Sequence, residues 1–113
     1  MRYSDTVYSE VEATLSQAHE QHESYKRLRA GAAHVQPDEL LWAEDELKAT
    51  LLVLENDLEE LEDSIAAVER SGQQARFGLS REEMQGRKDF VKQTKSSMQV
   101  SHVYVLEASL TSV

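Results

Sequence analysis

The sequence of 113 residues contains no cysteine, one proline and four glycines. The absence of cysteine excludes disulfide scaffolds, thiolate zinc sites and cysteine nucleophiles. Because proline and glycine are rare, we expect few turns and long uninterrupted elements. No stretch reaches the roughly 18 consecutive apolar residues that a transmembrane helix needs. The length suits one domain and is too short for two.

Basic residues are outnumbered: Lys and Arg total 12 against 21 Asp and Glu, which gives a formal net charge of −9. A negative charge of this size repels phosphate backbones and anionic lipid. We therefore expect no nucleic-acid binding and no direct membrane contact by this domain. The lack of cysteine also fits a reducing, cytosolic setting.

Helical periodicity is present in three segments, the first from about Ser4 to Arg29. The second begins at Pro37, a residue favoured in the first helical turn. Its apolar residues follow at spacings of four and three without a break, which is typical of one helix face: Leu47, Leu51, Leu54, Leu58, Leu61, Ile65 and Val68. The third opens with Ser80 and Glu83 as a capping box.

An apolar stripe on a single helix cannot be buried by that helix alone, and short connections favour antiparallel neighbours. The sequence therefore predicts an all-α fold, an antiparallel up-down-up three-helix bundle with crossing angles of roughly 20°. Trp42 is interpreted as a buried anchor at the end of the core rather than as a binding hot spot. The predicted core comprises Val11, Trp42, Leu47, Leu51, Leu54, Leu58, Leu61, Ile65, Met84, Val91 and Met98.

Charge differs between the second and third helices, since the second is rich in acidic residues and residues 76–95 are mainly basic. Antiparallel packing would place these complementary charges along a shared flank. After about Gln99 the sequence becomes rich in β-branched residues, which helices slightly disfavour. We therefore predict a folded domain over residues 1–102 and a frayed or disordered tail over residues 103–113.

Candidate chemistry is sparse. His19 and His22 could share one metal ion, but a site needs three or four suitable ligands, so a polar helix flank is favoured. The acidic run of the second helix lacks the spacing and glycine of a calcium loop. No phosphate-binding loop or nucleophile motif is present. We expect no catalytic residues, no metal, no cofactor and no enzymatic activity.

Phe90 lies off the main apolar stripe of the third helix and has basic neighbours. Either it closes the core against the first helix, or it forms an apolar spot with a basic rim that suits a partner peptide. The candidate partner-binding residues lie on the side shared by the first and third helices: Tyr8, Leu15, Arg87, Phe90 and Lys92.

The order and spacing of several stretches resemble the N-terminal domain of the syntaxin 6 family of SNARE proteins. The resemblance covers about residues 40–100, and the matching positions are 41–47, 54–65, 68–69, Phe77-Gly78-Leu79, Glu83 and Arg87-Lys88-Asp89-Phe90-Val91. In the first helix, Asp5, Val7 and Glu10-Val11 also match. The family's Asp-Pro-Phe start is replaced by Asp5-Thr6-Val7.

The resemblance implies that residues 1–102 form an Habc-like SNARE N-terminal domain of a membrane-anchored t-SNARE. It implies a role in vesicle fusion and protein transport, on the cytosolic face of trans-Golgi network and endosomal membranes. The implied partners are tethering factors, notably the Golgi-associated retrograde protein complex, and the protein's own or cognate SNARE motifs. We expect this fragment to be a soluble monomer. The alternative is a structural protein that self-associates as a coiled coil through the leucine heptad seam of the second helix.

Overall fold

Three helices make up the computed structural model, which describes residues 3–31, 34–72 and 80–111. Helix α1 spans Tyr3–Ala30, α2 spans Pro37–Ser71 and α3 spans Arg81–Thr111. No strand occurs among the described residues. The predicted all-α class is confirmed.

Local sequence accounts for the ends of α2 and for the start of α3. Pro37 occupies the first turn of α2, and acidic residues follow it at the positive end of the helix dipole. At the other end, Gly72 takes a left-handed conformation with φ 66°, and its N–H donates to the Glu69 carbonyl at 3.1 Å. The Ser80 Oγ accepts a hydrogen bond of 3.1 Å from the Glu83 N–H, as the capping box predicts.

Helices α1 and α2 run antiparallel. The Thr14 hydroxyl donates to Asp57 Oδ2 at 3.5 Å, and the Tyr25 hydroxyl donates to Glu44 Oε1 at 3.5 Å. Residues later in α1 therefore contact residues earlier in α2, as they do in an antiparallel pair.

Helices α2 and α3 are also antiparallel, as two ion pairs between them show. Glu69 Oε2 lies 2.5 Å from Lys88 Nζ, and Glu62 Oε1 lies 2.7 Å from Lys95 Nζ. These pairs join the acidic helix to the basic half of α3, which is the charge complementarity that the sequence predicts. Both connections are antiparallel, so the up-down-up three-helix bundle is confirmed.

The core lies along the leucine stripe of α2, which α1 and α3 cover. Five of its leucines are 0–1% exposed, so the stripe is sealed within one chain. Met98 is half-buried and packs against this core. The other predicted core residues that the structure buries are Val11, Leu47, Leu51, Leu54, Leu58, Leu61, Ile65, Met84 and Val91.

Trp42 does not belong to the core: its side chain is 66% exposed, and the prediction that it anchors the bundle is wrong. The adjacent small residue, Ala43, occupies the buried position instead. Trp42 precedes the buried Leu47 by five residues, which places it about 140° away around the helix. The position of residue 42 around the helix therefore keeps its indole at the surface despite the hydrophobicity of this side chain.

The tail expected to fray after residue 102 is helical in the described residues, because α3 continues without interruption to Thr111. Val105 is 2% exposed and Ala108 is 6% exposed. Burying such side chains outweighs the small helix penalty of β-branched residues. The expectation of disorder over residues 103–111 is therefore wrong, and residues 112–113 lie outside the described part of the chain. Phe77-Gly78-Leu79, which contributes to the resemblance, also lies outside it.

Candidate interaction surface

The side of α1 that faces α3 carries one residue every seven positions: Tyr8, Leu15 and His22. This spacing keeps the three side chains on one helix face. All three are half-buried. They form the α1 wall of a surface shared with α3.

An aromatic pair and an arginine meet at the N-terminal end of this wall. The rings of Tyr8 and Phe90 have centroids 4.5 Å apart and are tilted by 36°. The guanidinium carbon of Arg87 lies 5.5 Å from the Tyr8 ring centroid, within cation–π distance. We call Tyr8, Arg87 and Phe90 the aromatic–arginine cluster. All three side chains are half-buried, so each offers part of its surface to solvent.

The Tyr8 hydroxyl is held in its neutral form. Burial raises the pKa of Tyr8, the nearby Glu12 carboxylate raises it further, and the Arg87 guanidinium opposes the shift. Like an ordinary tyrosine hydroxyl, it is protonated at neutral pH, and it can serve as a hydrogen-bond donor.

Further along the same side, α1 and α3 meet through polar and aromatic contacts. His22 Nδ1 lies 2.6 Å from Ser101 Oγ, and the His22 ring lies 5.0 Å from the Tyr104 ring. The Tyr25 and Tyr104 rings meet edge to face, with centroids 5.9 Å apart and planes at 88°. Together with the Tyr8–Phe90 contact, these pairs show that α1 and α3 run parallel.

The pKa of His22 lies below its ordinary value. Burial of the imidazole is the largest cause, and the Lys26 ammonium adds to it. His19 lowers the pKa as well, whereas the Glu23 carboxylate raises it. The neutral imidazole is therefore favoured in the contact with Ser101.

A second concave surface lies between α2 and α3 and encloses about 330 Å³. Its walls carry the two ion pairs that join these helices, and Lys92 lies beside them. Both apolar and charged side chains thus line this concave surface, which we call the α2–α3 groove. Its lining residues are Glu62, Ile65, Ala66, Glu69, Lys88, Val91, Lys92 and Lys95.

The structure brings together three of the five predicted partner-binding residues, the aromatic–arginine cluster. Leu15 lies on the same stripe of α1 and packs partly buried against the core, as Tyr8 and Phe90 also do. Lys92 is exposed and lines the α2–α3 groove instead. Two residues along a helix differ by about 160° around its axis, so Lys92 and Phe90 lie on opposite sides of α3.

Sequence reasoning missed the contact of His22 with Ser101 and Tyr104. The seven-residue spacing from Tyr8 through Leu15 to His22 is the signal that places this histidine on the wall facing α3. Its partners could not be found in this way, because the offset between two parallel helices is set by tertiary packing.

The described residues contain no group of three or more His, Asp or Glu side chains that could hold a metal ion. No helix among residues 3–31, 34–72 and 80–111 has the length and apolarity required to cross a membrane.

Comparison with known proteins identifies one family. The model of the family "Syntaxin 6/10/61, N-terminal" matches residues 5–102, a range that includes all of α2 and most of α1 and α3. A search of curated proteins gives no match. The matched family is a SNARE-related domain and is not an enzyme family. The chain belongs to the syntaxin 6/10/61 N-terminal domain family.

Proposed function

We propose that this chain is the regulatory N-terminal interaction domain of a syntaxin-6-like t-SNARE that acts in endosome-to-trans-Golgi vesicle fusion. Its parent protein acts at the cytosolic face of trans-Golgi network and endosomal membranes. The domain itself is non-enzymatic and works by binding other proteins. Membership of the syntaxin 6/10/61 N-terminal family supports this proposal.

The partner in this proposal is a tethering complex of the Golgi-associated retrograde type, and it docks at the aromatic–arginine cluster. The observation that carries the proposal is the Arg87 guanidinium lying over Tyr8 beside Phe90 at a half-buried surface. Aromatic and arginine side chains are enriched among the residues that dominate binding energy. Such a cluster suits a peptide with an apolar side chain next to a carboxylate.

A second role, binding the protein's own or cognate SNARE motif and so modulating SNARE assembly, is favoured by the α2–α3 groove. Its floor includes Ile65 and Val91, and its walls carry charges of both signs. An amphipathic helix recognises a groove of this kind through apolar residues one turn apart.

The binding test compares three single variants against the purified tethering complex by titration calorimetry. Arg87→Gln and Phe90→Ala each remove part of the cluster, and we expect affinity to fall about tenfold or more. Lys92→Ala is the matched control, because Lys92 lies on the opposite side of α3 and should leave affinity unchanged. Circular dichroism and thermal unfolding check that each variant keeps its helices.

The opposite pattern would reject docking at the cluster. If Lys92→Ala weakens binding and Arg87→Gln does not, the tether occupies the α2–α3 groove. If none of the three well-folded variants changes the affinity, neither surface binds the tether.

The alternative of self-association through the leucine seam finds no support in the burial of that seam. Leu47, Leu51 and Leu54 are each 0% exposed within a single chain. A seam already covered by α1 and α3 offers no apolar surface to a second copy.

A further inference from the structure

A stripe of apolar side chains lies uncovered on the outer face of α2. Leu41 is 56% exposed, Trp42 is 66% exposed, Leu52 is 57% exposed and Val53 is 50% exposed. Ala49, between them, is exposed as well. We call these five residues the outer stripe of α2.

Helical spacing places these side chains on one surface. Trp42, Ala49 and Val53 follow one another at intervals of seven and four, and Leu41 precedes Leu52 by three turns. The outer stripe runs for about 18 Å along the helix axis. It faces away from the core, because buried leucines occupy the opposite side of α2.

Acidic residues surround the outer stripe. Asp38 lies just before the N-terminal end of the stripe, and Asp45 lies within its N-terminal part. Glu59 and Glu60 follow its C-terminal end, and all four side chains are exposed. Lys48 is the only basic residue between positions 38 and 69, and its Nζ lies 3.8 Å from Glu44 Oε1. The outer face of α2 is therefore apolar along its middle and negatively charged around it.

We propose that the outer stripe of α2 docks a basic amphipathic helix of a partner protein. Such a helix presents apolar side chains to the stripe and Lys or Arg side chains to the acidic frame. Trp42 provides a large, exposed aromatic side chain of the type enriched among the residues that dominate binding energy. This surface is separate from the aromatic–arginine cluster, so the two sites can be tested independently.

Charge decides between the candidate occupants. A second copy would bring another formal charge of −9 to a face that is itself acidic, and the two copies would repel each other. A basic helix is attracted to the same acidic face, and its binding requires no contact within the bundle to break. Charge complementarity therefore selects the basic helix over self-association.

The test uses a synthetic helical peptide of about 18 residues made of leucine and lysine, with the leucines on one face. Trp42 is the only tryptophan of the chain, so its fluorescence reports directly on the stripe. We expect a saturable blue shift of Trp42 emission on titration with this peptide, and weaker binding as salt is added. A leucine–glutamate peptide of the same pattern should produce no shift.

Two pairs of matched variants distinguish binding at the outer stripe from nonspecific binding to other exposed residues. Val53→Ser should weaken peptide binding about fivefold or more. Val100→Ser, at a valine that is 64% exposed on the α1–α3 side, should leave it unchanged. The acidic residues are tested with two matched double variants. E59Q/E60Q removes two carboxylates beside the stripe and should weaken binding, whereas E82Q/E107Q removes two exposed carboxylates of α3 and should not.

Three results would overturn the proposal. Equal binding of the acidic and basic peptides would remove the role of the acidic frame. Equal weakening by Val53→Ser and Val100→Ser would show binding that does not depend on the stripe. A dimer in sedimentation velocity that Val53→Ser dissociates would assign the stripe to a second copy. Arg87→Gln should retain peptide binding, so a failure here is distinguishable from a failure of tether docking at the cluster.

Discussion

Thr94 places a hydroxyl group inside the bundle. Its side chain is 1% exposed, and its Oγ1 has no hydrogen-bond partner among the described residues. A buried polar group without a partner loses its bonds to water and gains nothing in return. Thr94→Val keeps the shape and removes the hydroxyl, so we expect the free energy of unfolding to rise by about 1 kcal/mol in urea denaturation.

The control for this prediction is Thr94→Ala, which removes the methyl group as well and leaves a cavity. It should be less stable than Thr94→Val by about 1–2 kcal/mol. Equal stability of the valine variant and the wild-type protein would mean that the Thr94 hydroxyl is already satisfied, for example by a bound water.

His22 makes the stability of the bundle depend on pH. Its pKa in the folded chain is lowered by burial and by Lys26, so the unfolded chain takes up a proton first as the pH falls. The ring contacts Ser101 and Tyr104, and the titratable neighbours that act on it are Lys26, Glu23 and His19. Below about pH 6.5, the ordinary histidine value, the folded state therefore loses stability until the pH reaches the lower folded pKa.

His22→Gln removes this titration. We expect its free energy of unfolding to fall less than that of the wild-type protein between about pH 6.5 and pH 5, since the carboxylates titrate alike in both. Urea denaturation at several pH values measures the difference. Parallel pH profiles for the two proteins would show that His22 has the same pKa in the folded and unfolded chains.

At the scale of the helix, Val105 tests whether the C-terminal part of α3 belongs to the folded unit. Val105 is 2% exposed, whereas Val103, two residues earlier, is 40% exposed. Val105→Ala should cost about 1–2 kcal/mol of unfolding free energy, because it leaves a cavity in the core. Val103→Ala should have little effect or stabilise slightly, because alanine is the better helix former. Equal effects of the two variants would mean that this segment frays in solution.

The ion pair between Glu62 and Lys95 tests the match between α2 and α3. The two side chains are 41% and 49% exposed, so the pair contributes only about 0.2–1 kcal/mol. Glu62→Lys alone should destabilise the bundle at low salt, and E62K/K95E should recover most of the loss. In about 1 M NaCl the difference should nearly vanish, because the Debye length is then about 3 Å. A loss that persists in high salt would indicate disturbed packing instead of charge.

The three elements were predictable from the sequence to different degrees. Helix α2 carries an unbroken leucine stripe, so both its length and its buried face follow from periodicity. The β-branched Val100 and Val103 predict a frayed end for α3, but the burial of Val105 outweighs this local preference. Hydrophobicity alone predicts a buried Trp42, whereas the angle of residue 42 around the helix places it on the exposed side.

The candidate surface was predictable only in part. The sequence places Tyr8 and Phe90 on the side shared by α1 and α3, but the contact between their rings depends on the offset between these helices, which tertiary packing sets. Lys92 is close to Phe90 in sequence, but residues two positions apart on a helix point to opposite sides. The exposed stripe around Trp42 could not be recognised from composition, since the same residue types fill the core.

At the scale of the whole molecule, the bundle is a rod. Its extents are 57 × 23 × 18 Å and its radius of gyration is 17.4 Å. A compact globular chain of this length would have a radius of gyration of about 13 Å. The elongation follows from the length of α2, because 35 residues in one helix span roughly 50 Å.

This shape makes the oligomeric state measurable by two independent methods. The leucine seam is covered within the chain and the net charge is −9, so we expect a monomer of 12.8 kDa at every concentration in sedimentation equilibrium. Small-angle scattering should then give a radius of gyration near 17.4 Å, slightly enlarged by hydration. A mass that doubles with concentration would contradict this prediction, and the variants then locate the contact. If Val53→Ser restores the monomer, two copies meet through the outer stripe of α2. If it does not, the copies meet through another surface, either the exposed apolar residues of α3 such as Val100 and Leu106 or the leucine seam after the helices open.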